Sequence, residues 1–150
     1  MLPHIENYFN LMRDLDIGLN DYVVCYGDDN IVGPCRAWWM FKVFGFPNIS
    51  VLNGTFKKWK SEGHNVETGL ERWRGTIRDR KREDFMFHYD GFIVTTMDDM
   101  ISHTKRGVAG TVNIVDARNP ERFTGQEKDP RGLRSGHIPG AKNIPSTEFL

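Results

Sequence analysis

The chain has 150 residues, the length of one ordinary domain, and its 20 lysine and arginine side chains balance 20 aspartate and glutamate side chains. A balanced charge creates no field that would draw the chain to nucleic acid or to an anionic membrane surface. Hydrophobic residues make up 39% of the chain and aromatic residues 12%. This composition excludes a disordered polypeptide and indicates a folded globular protein.

The sequence contains no apolar run near the roughly 20 residues of a membrane-spanning helix, so no membrane span is expected. Its first residues resemble neither a signal peptide nor a transit helix, and we expect any targeting segment to be absent or removed. The two cysteines, Cys25 and Cys35, suit neither a disulfide framework nor a C-x-x-C pair, which favours an intracellular, reducing compartment. The five histidines have no zinc-site spacing, so we expect no metal and no cofactor.

The first 60 residues alternate between helix and strand patterns. Apolar residues recur at every third or fourth position over residues 5–15, which predicts an amphipathic helix. Residues 22–26 form a short β-rich run between turns, as in a buried parallel strand. Residues 35–44 are apolar on nearly every side and include Trp38 and Trp39, which predicts a buried helix.

A second strand over residues 49–52 and a further helix over residues 56–60 follow. The alternating order predicts an α/β fold with a parallel sheet and covering helices. Residues 63–90 carry many charges without a clear period, and we interpret them as a linker. Weaker patterns then predict strands at residues 92–95, 112–115 and 142–144, a helix at residues 97–103 capped by Thr96, and a further element beginning at Thr147.

Three stretches together resemble the family of rhodanese and mercaptopyruvate sulfurtransferases. The apolar helix within residues 36–45 and the strand, turn and helix over residues 51–59 resemble the end of the family's catalytically silent first domain. The Val-Asp-Ala-Arg run at residues 115–118, with Glu-Arg-Phe at residues 121–123, resembles the opening of its catalytic second domain. The Gly-His-Ile-Pro-Gly-Ala-Lys-Asn-Ile-Pro run at residues 136–145 resembles the same opening.

The resemblance implies a rhodanese-like parallel sheet with flanking helices, present as two incomplete half-domains. Residues 1–62 match the carboxyl-terminal part of the first domain, residues 63–90 the linker, and residues 91–150 the amino-terminal part of the second. A family member carries further chain on both sides, including the loop with its nucleophilic cysteine. We therefore expect a fragment, an incomplete gene model or a reduced protein with a new role.

The family transfers sulfane sulfur from thiosulfate or 3-mercaptopyruvate to cyanide or a thiol, through a cysteine persulfide. At the matching position of the first domain, directly after Tyr26, this chain has Gly27, and Asp28 and Asp29 follow. The acids suit a positive helix end but repel an anionic donor, and the loop has no activated nucleophile. We assign no catalytic residue and expect this chain alone to be inactive. The family's activity would then require a longer protein that contains this chain.

Arg118 and Arg122 are the substrate-binding candidates that the resemblance implies. Arg118 follows a predicted strand end, where α/β sheets place ligand groups, and a guanidinium binds carboxylate or sulfonate oxygens in pairs. Their ligand would be a small anionic sulfur donor if the full-length protein is active. The alternative for Arg118 is an ion pair with Asp116 or Glu121.

Two other side chains have both a reactive and a structural interpretation. Cys35, beside Arg36, lies near a helix start that could lower its pKa and make it a reactive thiol; the alternative is a small buried apolar residue. Cys25, inside a strand, is expected to be inert. His137 could act as a base, but its turn favours a hydrogen bond to the backbone. Family analogy favours a mitochondrial protein over a cytoplasmic one.

A second function class is a non-catalytic structural or interaction subunit of a larger assembly. Two incomplete sheets leave open edges beside residues 22–26 and 112–115, and open edges invite pairing with another chain. We expect other polypeptides, or other parts of the same protein, to cover them. The basic residues 72–82 are the candidate docking strip, although partial neutralisation by acids also fits a solvated linker; nucleic acid is not expected.

Overall fold

The computed structural model describes residues 2–69, 80–105 and 112–149. The chain divides into two compact units, Met1–Val94 and Thr95–Leu150. Each unit combines helices with a small parallel sheet, so the predicted α/β class is confirmed. Among the described residues, no helix is both long and apolar enough to cross a bilayer.

The first unit follows the predicted alternation of helices and strands. Its elements are α1 (Ile5–Asp14), β1 (Val23–Cys25), α2 (Val32–Val43), β2 (Ile49–Val51), α3 (Phe56–Ser61) and two 3-10 turns (Arg82–Phe85 and Gly91–Ile93). β1 and β2 pair in parallel, with Val23 opposite Ile49 and Cys25 opposite Val51. Parallel neighbours need a long crossover connection, and α2 provides it.

The core of the first unit lies where α1 and α2 meet the sheet. Its buried cluster consists of Tyr8, Met12, Phe41, Phe44, Phe46 and Ile49. Tyr8 and Met12 are four residues apart and therefore share one face of α1. The ring of Tyr8 stacks on that of Phe44, with ring centroids 4.2 Å apart. Because one face of α1 is buried, its apolar residues recur at helical spacing, and the helix could be predicted from the sequence.

The prediction of a fully buried helix over residues 35–44 is wrong in two respects. The helix α2 begins at Val32, and its Trp38 remains 38% exposed. Trp38 lies at the margin of the sheet, where its Nε1 donates a hydrogen bond of 3.3 Å to the carbonyl oxygen of Ile49. Because the described sheet of this unit has only two strands, it covers one side of α2 and leaves the indole partly in solvent.

The later described part of the predicted linker, residues 80–90, packs within the first unit, whereas residues 63–69 are exposed. Phe85 is buried, and Phe87 lies against the aromatic cluster. The backbone N–H of Leu19 donates to the carbonyl of Asp84 at 2.8 Å, and that of Asp90 to the carbonyl of Val43 at 2.7 Å. Aromatic burial and backbone hydrogen bonds thus hold residues 84–90 in the first unit. The boundary between the two units falls after Val94.

The predicted strand at residues 92–95 is absent from the described residues, which have a 3-10 turn there. The side chain of Asp90 accepts a hydrogen bond of 3.0 Å from the backbone N–H of Phe92. Such a bond two residues ahead favours a turn over an extended strand. The apolar run at this place was therefore misleading.

The second unit contains α4 (Met97–Lys105), β3 (Val115–Asp116), α5 (Pro120–Thr124), β4 (Lys142–Asn143) and a 3-10 turn (Ser146–Phe149). β3 and β4 pair in parallel, with Val115 opposite Lys142. Thr96 caps α4 as predicted, because its Oγ1 accepts a hydrogen bond of 3.2 Å from the N–H of Asp99. β3 has two residues, whereas a strand over residues 112–115 was predicted. The candidate site lies at the end of β3.

Candidate functional site

The candidate site lies just beyond the end of β3. Asn143, on the neighbouring strand β4, donates through its Nδ2 to the carbonyl oxygens of Asp116 and Arg118, each at 2.9 Å. One amide side chain thus fixes the loop that leaves β3. Asn143 was not among the site residues predicted from the sequence, although it lies in the run at residues 136–145 that carries the family resemblance.

Arg118 and Asp116 form a bidentate ion pair at this strand end. The Nε of Arg118 lies 2.9 Å from Oδ1 of Asp116, and its Nη2 lies 2.6 Å from Oδ2. The same Nη2 also donates to the carbonyl of Gly136 at 2.7 Å. Hydrogen bonding from Arg118 lowers the pKa of Asp116. The Nη1 of Arg118 makes no hydrogen bond to any residue of the described chain, and the side chain is 43% exposed.

Arg122 is paired with Glu127, a carboxylate that was not among its expected partners. Its Nε lies 2.9 Å from Oε1 of Glu127. The Nδ2 of Asn119 donates to the other carboxylate oxygen at 3.0 Å, and Asn119 also caps α5 by accepting from the N–H of Arg122. Hydrogen bonds from Asn119 and Arg122 lower the pKa of Glu127. These contacts hold the guanidinium of Arg122 near the start of α5, where it lines the candidate site.

His137 has the structural role that its turn predicted. Its Nδ1 donates a hydrogen bond of 2.8 Å to the carbonyl of Phe123. The imidazole also stacks on the ring of Phe123, with centroids 3.8 Å apart and an interplanar angle of 11°. These contacts tie the Gly-His-Ile-Pro turn to α5 and fix the wall of the site.

A cleft of about 890 Å³ opens beside these residues. Its polar lining comes from Asp116, Arg118, Arg134, Ser135 and His137, and its apolar lining includes Ile114, Val115 and Ile138. A smaller adjoining cavity of about 10 Å³, room for about one water molecule, is lined by Arg118, Arg122, Arg134, Ser135, Glu127 and Asp129. The structure thus brings the two predicted arginines to one cavity, together with a third arginine that sequence reasoning missed.

Arg134 differs from the other arginines of this cavity. Among the described residues it makes neither an ion pair nor a hydrogen bond. In the sequence it stands two residues before the Gly-His-Ile-Pro run. Its closeness to that turn was the one feature of the sequence that could have identified Arg134 as a site residue.

The loop after β1 is closed to a side chain at Gly27. A Cβ built at this position would lie 2.8 Å from the carbonyl oxygen of Asn30 and 3.0 Å from Cγ of Pro34. The carbonyl of Gly27 accepts a hydrogen bond of 2.8 Å from the N–H of Phe56, which holds the loop in place. The loop geometry therefore has no room for a cysteine where an active domain of the family carries one.

The two cysteines occupy different environments. Cys35, in the first turn of α2, is exposed, so the alternative of a small buried residue is wrong for it. Cys25 is partly buried within β1, and burial raises the pKa of its thiol. Only Cys35 is accessible enough to react readily.

Most of the predicted docking strip at residues 72–82 lies outside the described residues. Arg80 is described, and it is not available for docking. Its side chain is only 9% exposed because Asp16 and Asp21 bind it. Within the described residues, His, Cys, Asp and Glu side chains form no cluster of three or more that could hold a metal ion.

Comparison with known proteins gives concordant matches. A model described as a rhodanese-like domain matches residues 2–62. The 3-mercaptopyruvate sulfurtransferase of Escherichia coli is 33% identical over 152 residues, covering all of this chain and 50% of that protein. The thiosulfate sulfurtransferase of Gallus gallus is 35% identical over 153 residues, covering all of this chain and 49% of that protein. The chain spans about half the length of the curated relatives it matches.

Solved structures agree on the fold. The crystal structure of SseA from Escherichia coli, described as a 3-mercaptopyruvate sulfotransferase with the rhodanese fold, superposes with a TM-score of 0.76 at 30% identity, over all of this chain and 52% of that one. The Tum1 protein from Saccharomyces cerevisiae superposes with a TM-score of 0.80 at 24% identity, over all of this chain and 49% of that one. The second likeness concerns the fold alone.

Proposed function

Because the chain belongs to the family of rhodanese-like sulfurtransferases, we propose that it supplies the donor-binding part of a sulfurtransferase without the nucleophile. In the complete reaction, sulfane sulfur would pass from thiosulfate or 3-mercaptopyruvate to cyanide or a thiol. The names of the relatives support these two donors. We further propose a reducing compartment, mitochondrial or cytoplasmic, because both cysteines are free thiols.

The observation that carries this proposal is the position of Arg118 on the cleft of about 890 Å³, with Arg122 next to it on the adjoining cavity of about 10 Å³. Each guanidinium is oriented by a carboxylate through Nε, while the Nη1 of Arg118 and both terminal nitrogens of Arg122 make no hydrogen bond within the described chain. Planar N–H groups held in this way match the oxygens of a sulfonate or carboxylate. The arginines would therefore bind the anionic end of the donor.

The same structure supports the absence of catalysis by this chain alone. Gly27 cannot accept a side chain without displacing Asn30 or Pro34. Cys25 lies partly buried in a strand. Cys35 is exposed but stands eight residues beyond Gly27, in the first turn of α2. Neither thiol therefore stands at the family's nucleophile position.

A thiocyanate assay on the purified chain tests this proposal. With thiosulfate as donor and cyanide as acceptor, we expect no product above that of a variant in which both cysteines are serine. The same result is expected with 3-mercaptopyruvate. Turnover that is lost in Cys35→Ser alone would contradict the proposal, because it would show that Cys35 acts as the nucleophile.

The second candidate function is that of a non-catalytic interaction subunit. The observation that favours it is the free edge of β1, which within the described residues pairs only with β2. Tyr22, Val24 and Tyr26 occupy every second position in and beside β1, so their side chains lie on the same face, and all three are exposed. A strand from another polypeptide would satisfy the backbone groups of this edge.

Sedimentation analysis of the isolated chain tests the second candidate. We expect self-association that weakens in Val24→Lys, because a charge on an edge strand opposes pairing. The variant Val66→Lys serves as a control, since it places the same charge on an exposed residue outside β1. A monomer at all concentrations, with cooperative unfolding, would contradict this candidate.

A further inference from the structure

Three of the four described arginines in the second unit have their charge balanced by a carboxylate. Arg118 pairs with Asp116 and Arg122 pairs with Glu127. Arg131 pairs with Asp129 at 3.0 Å. An ion pair of this kind keeps free N–H donors but has little net charge. It can therefore orient a bound anion, but it attracts an anion from solution only weakly.

Arg134 is the arginine that adds uncompensated charge to this site. Its side chain lines both the large cleft and the smaller cavity that Arg118 and Arg122 share. Three arginines and two carboxylates, Glu127 and Asp129, line the smaller cavity, so the positive charges there outnumber the negative ones by one. At about 10 Å³ this cavity is too small for thiosulfate, and the anion would occupy the cleft of about 890 Å³ that Arg118 and Arg134 both line. Lys128 is also without an ion pair among the described residues, but it lines neither cavity.

We propose that Arg134 is the residue that captures the small oxyanion in this site, with Arg118 and Arg122 orienting it. This inference rests on the proposed donor-binding function and assigns that function a third arginine. The ligand class is a small anion with a planar or tetrahedral oxygen end, such as thiosulfate. Capture requires net charge at the cavity mouth, which Arg134 supplies, and orientation requires donors in fixed positions, which the paired arginines supply.

The test is a titration of the isotope-labelled 150-residue chain with sodium thiosulfate, followed by NMR at constant ionic strength. We expect the amide signals of Ser135 and Gly136 to shift. In Arg134→Ala the affinity should fall about tenfold, the loss of one charge-assisted hydrogen bond. Arg134→Lys should restore part of it, because the charge returns without the guanidinium plane. Since Arg134 makes no described contact within the protein, these variants should fold normally.

The matched control is Lys128→Ala, which removes the same charge from the same unit outside both cavities. Its affinity should stay within about twofold of the unmodified chain, as expected for a screened surface charge. Equal losses in Lys128→Ala and Arg134→Ala would overturn the inference, because they would reveal non-specific attraction.

Two further outcomes separate this inference from the proposed function. If Arg122→Ala weakens binding while Arg134→Ala leaves it unchanged, the donor-binding function stands and the role of Arg134 is refuted. If thiosulfate shifts no signal of the second unit in the unmodified chain, both the inference and the donor-binding function are refuted.

Discussion

Arg80 and Asp16 are 64 positions apart in the chain, and Nε of Arg80 donates a hydrogen bond of 2.6 Å to Oδ1 of Asp16. The Nη2 of Arg80 donates to the carbonyl of Asp16 at 2.6 Å and also to Oδ2 of Asp21. Asp16 has a positive φ of 53°, which turns its carbonyl and carboxylate toward one guanidinium. This contact holds residues 80–93 on the first unit.

Replacing Arg80 by alanine should destabilise the first unit by about 3 kcal/mol, because it removes the guanidinium that binds two largely buried carboxylates. The free energy of unfolding in urea measures the effect. Arg13→Ala is the control, since Arg13 pairs with Asp14 at 4.0 Å on an exposed surface, and exposed pairs contribute less than about 1 kcal/mol. Equal effects of the two variants would show that the contact of Arg80 contributes no more than a surface pair.

Placing a cysteine at Gly27 should not create an active site. The new Cβ would meet the carbonyl of Asn30 at 2.8 Å, so Gly27→Cys should destabilise the chain by about 1–3 kcal/mol. Gly33→Cys is the control, because a Cβ at Gly33 meets no atom within 4 Å. Thiocyanate formation by Gly27→Cys, together with unchanged stability, would contradict the view that the loop is closed.

The second unit should lose stability in acid. Hydrogen bonds from arginine lower the pKa of Asp116, and those from Asn119 and Arg122 lower the pKa of Glu127. The bond from Arg131 lowers that of Asp129 to about 2. Because the folded pKa values lie below the unfolded ones, near about 4, the stabilisation is complete above pH ~4 and is lost as the pH falls through the folded values.

Hydrogen exchange of the second unit measured between pH ~4 and pH ~2, corrected for the intrinsic exchange rates, should reveal this loss of protection. The variant Asp129→Asn should show a weaker dependence on pH, since one of the carboxylates with a lowered pKa is gone. High salt should also weaken the dependence, because these pairs are exposed and therefore screened. Protection that increases toward pH ~2 would contradict the assigned direction of the pKa shifts.

Iodoacetamide should modify Cys35 well before Cys25. Cys35 is exposed in the first turn of α2, whereas Cys25 is partly buried and burial raises the pKa of its thiol. Thiolate fraction and access both control alkylation, so we expect a rate difference of at least about tenfold. Peptide mass spectrometry over time measures the two rates, and Cys35→Ser removes the fast phase. Faster labelling of Cys25 would show that the strand opens more readily than its pairing suggests.

Local patterns were sufficient to predict much of the fold. The helical repeat that contains Tyr8 and Met12 identified α1, and the hydroxyl of Thr96 identified the start of α4. The exposure of Trp38 could not be predicted in this way, because it depends on how many strands cover α2. The turn at Phe92 was missed because one hydrogen bond from Asp90 overrides its β propensity.

The candidate site was predictable only in part. The resemblance of the Val-Asp-Ala-Arg run selected Arg118, and that of the Glu-Arg-Phe run selected Arg122. Their carboxylate partners depend on loop geometry, and for Arg122 the partner is Glu127 and not the adjacent Glu121. Arg134 was missed because its importance lies in the absence of a carboxylate partner among the described residues. Such a property follows from the charges around a cavity and is not visible in a sequence motif.

A chain that binds the sulfur donor but has no nucleophile, as we propose, should not keep sulfur after exposure to thiosulfate, and intact-mass spectrometry measures this. In a true sulfurtransferase, a cysteine thiolate attacks the outer sulfur of thiosulfate, the S–S bond breaks, and sulfite leaves with the bonding electron pair. After incubation of the chain with thiosulfate and removal of excess reagent, we expect an unchanged mass. A gain of one sulfur atom that maps to Cys35, and that cyanide removes as thiocyanate, would contradict the account.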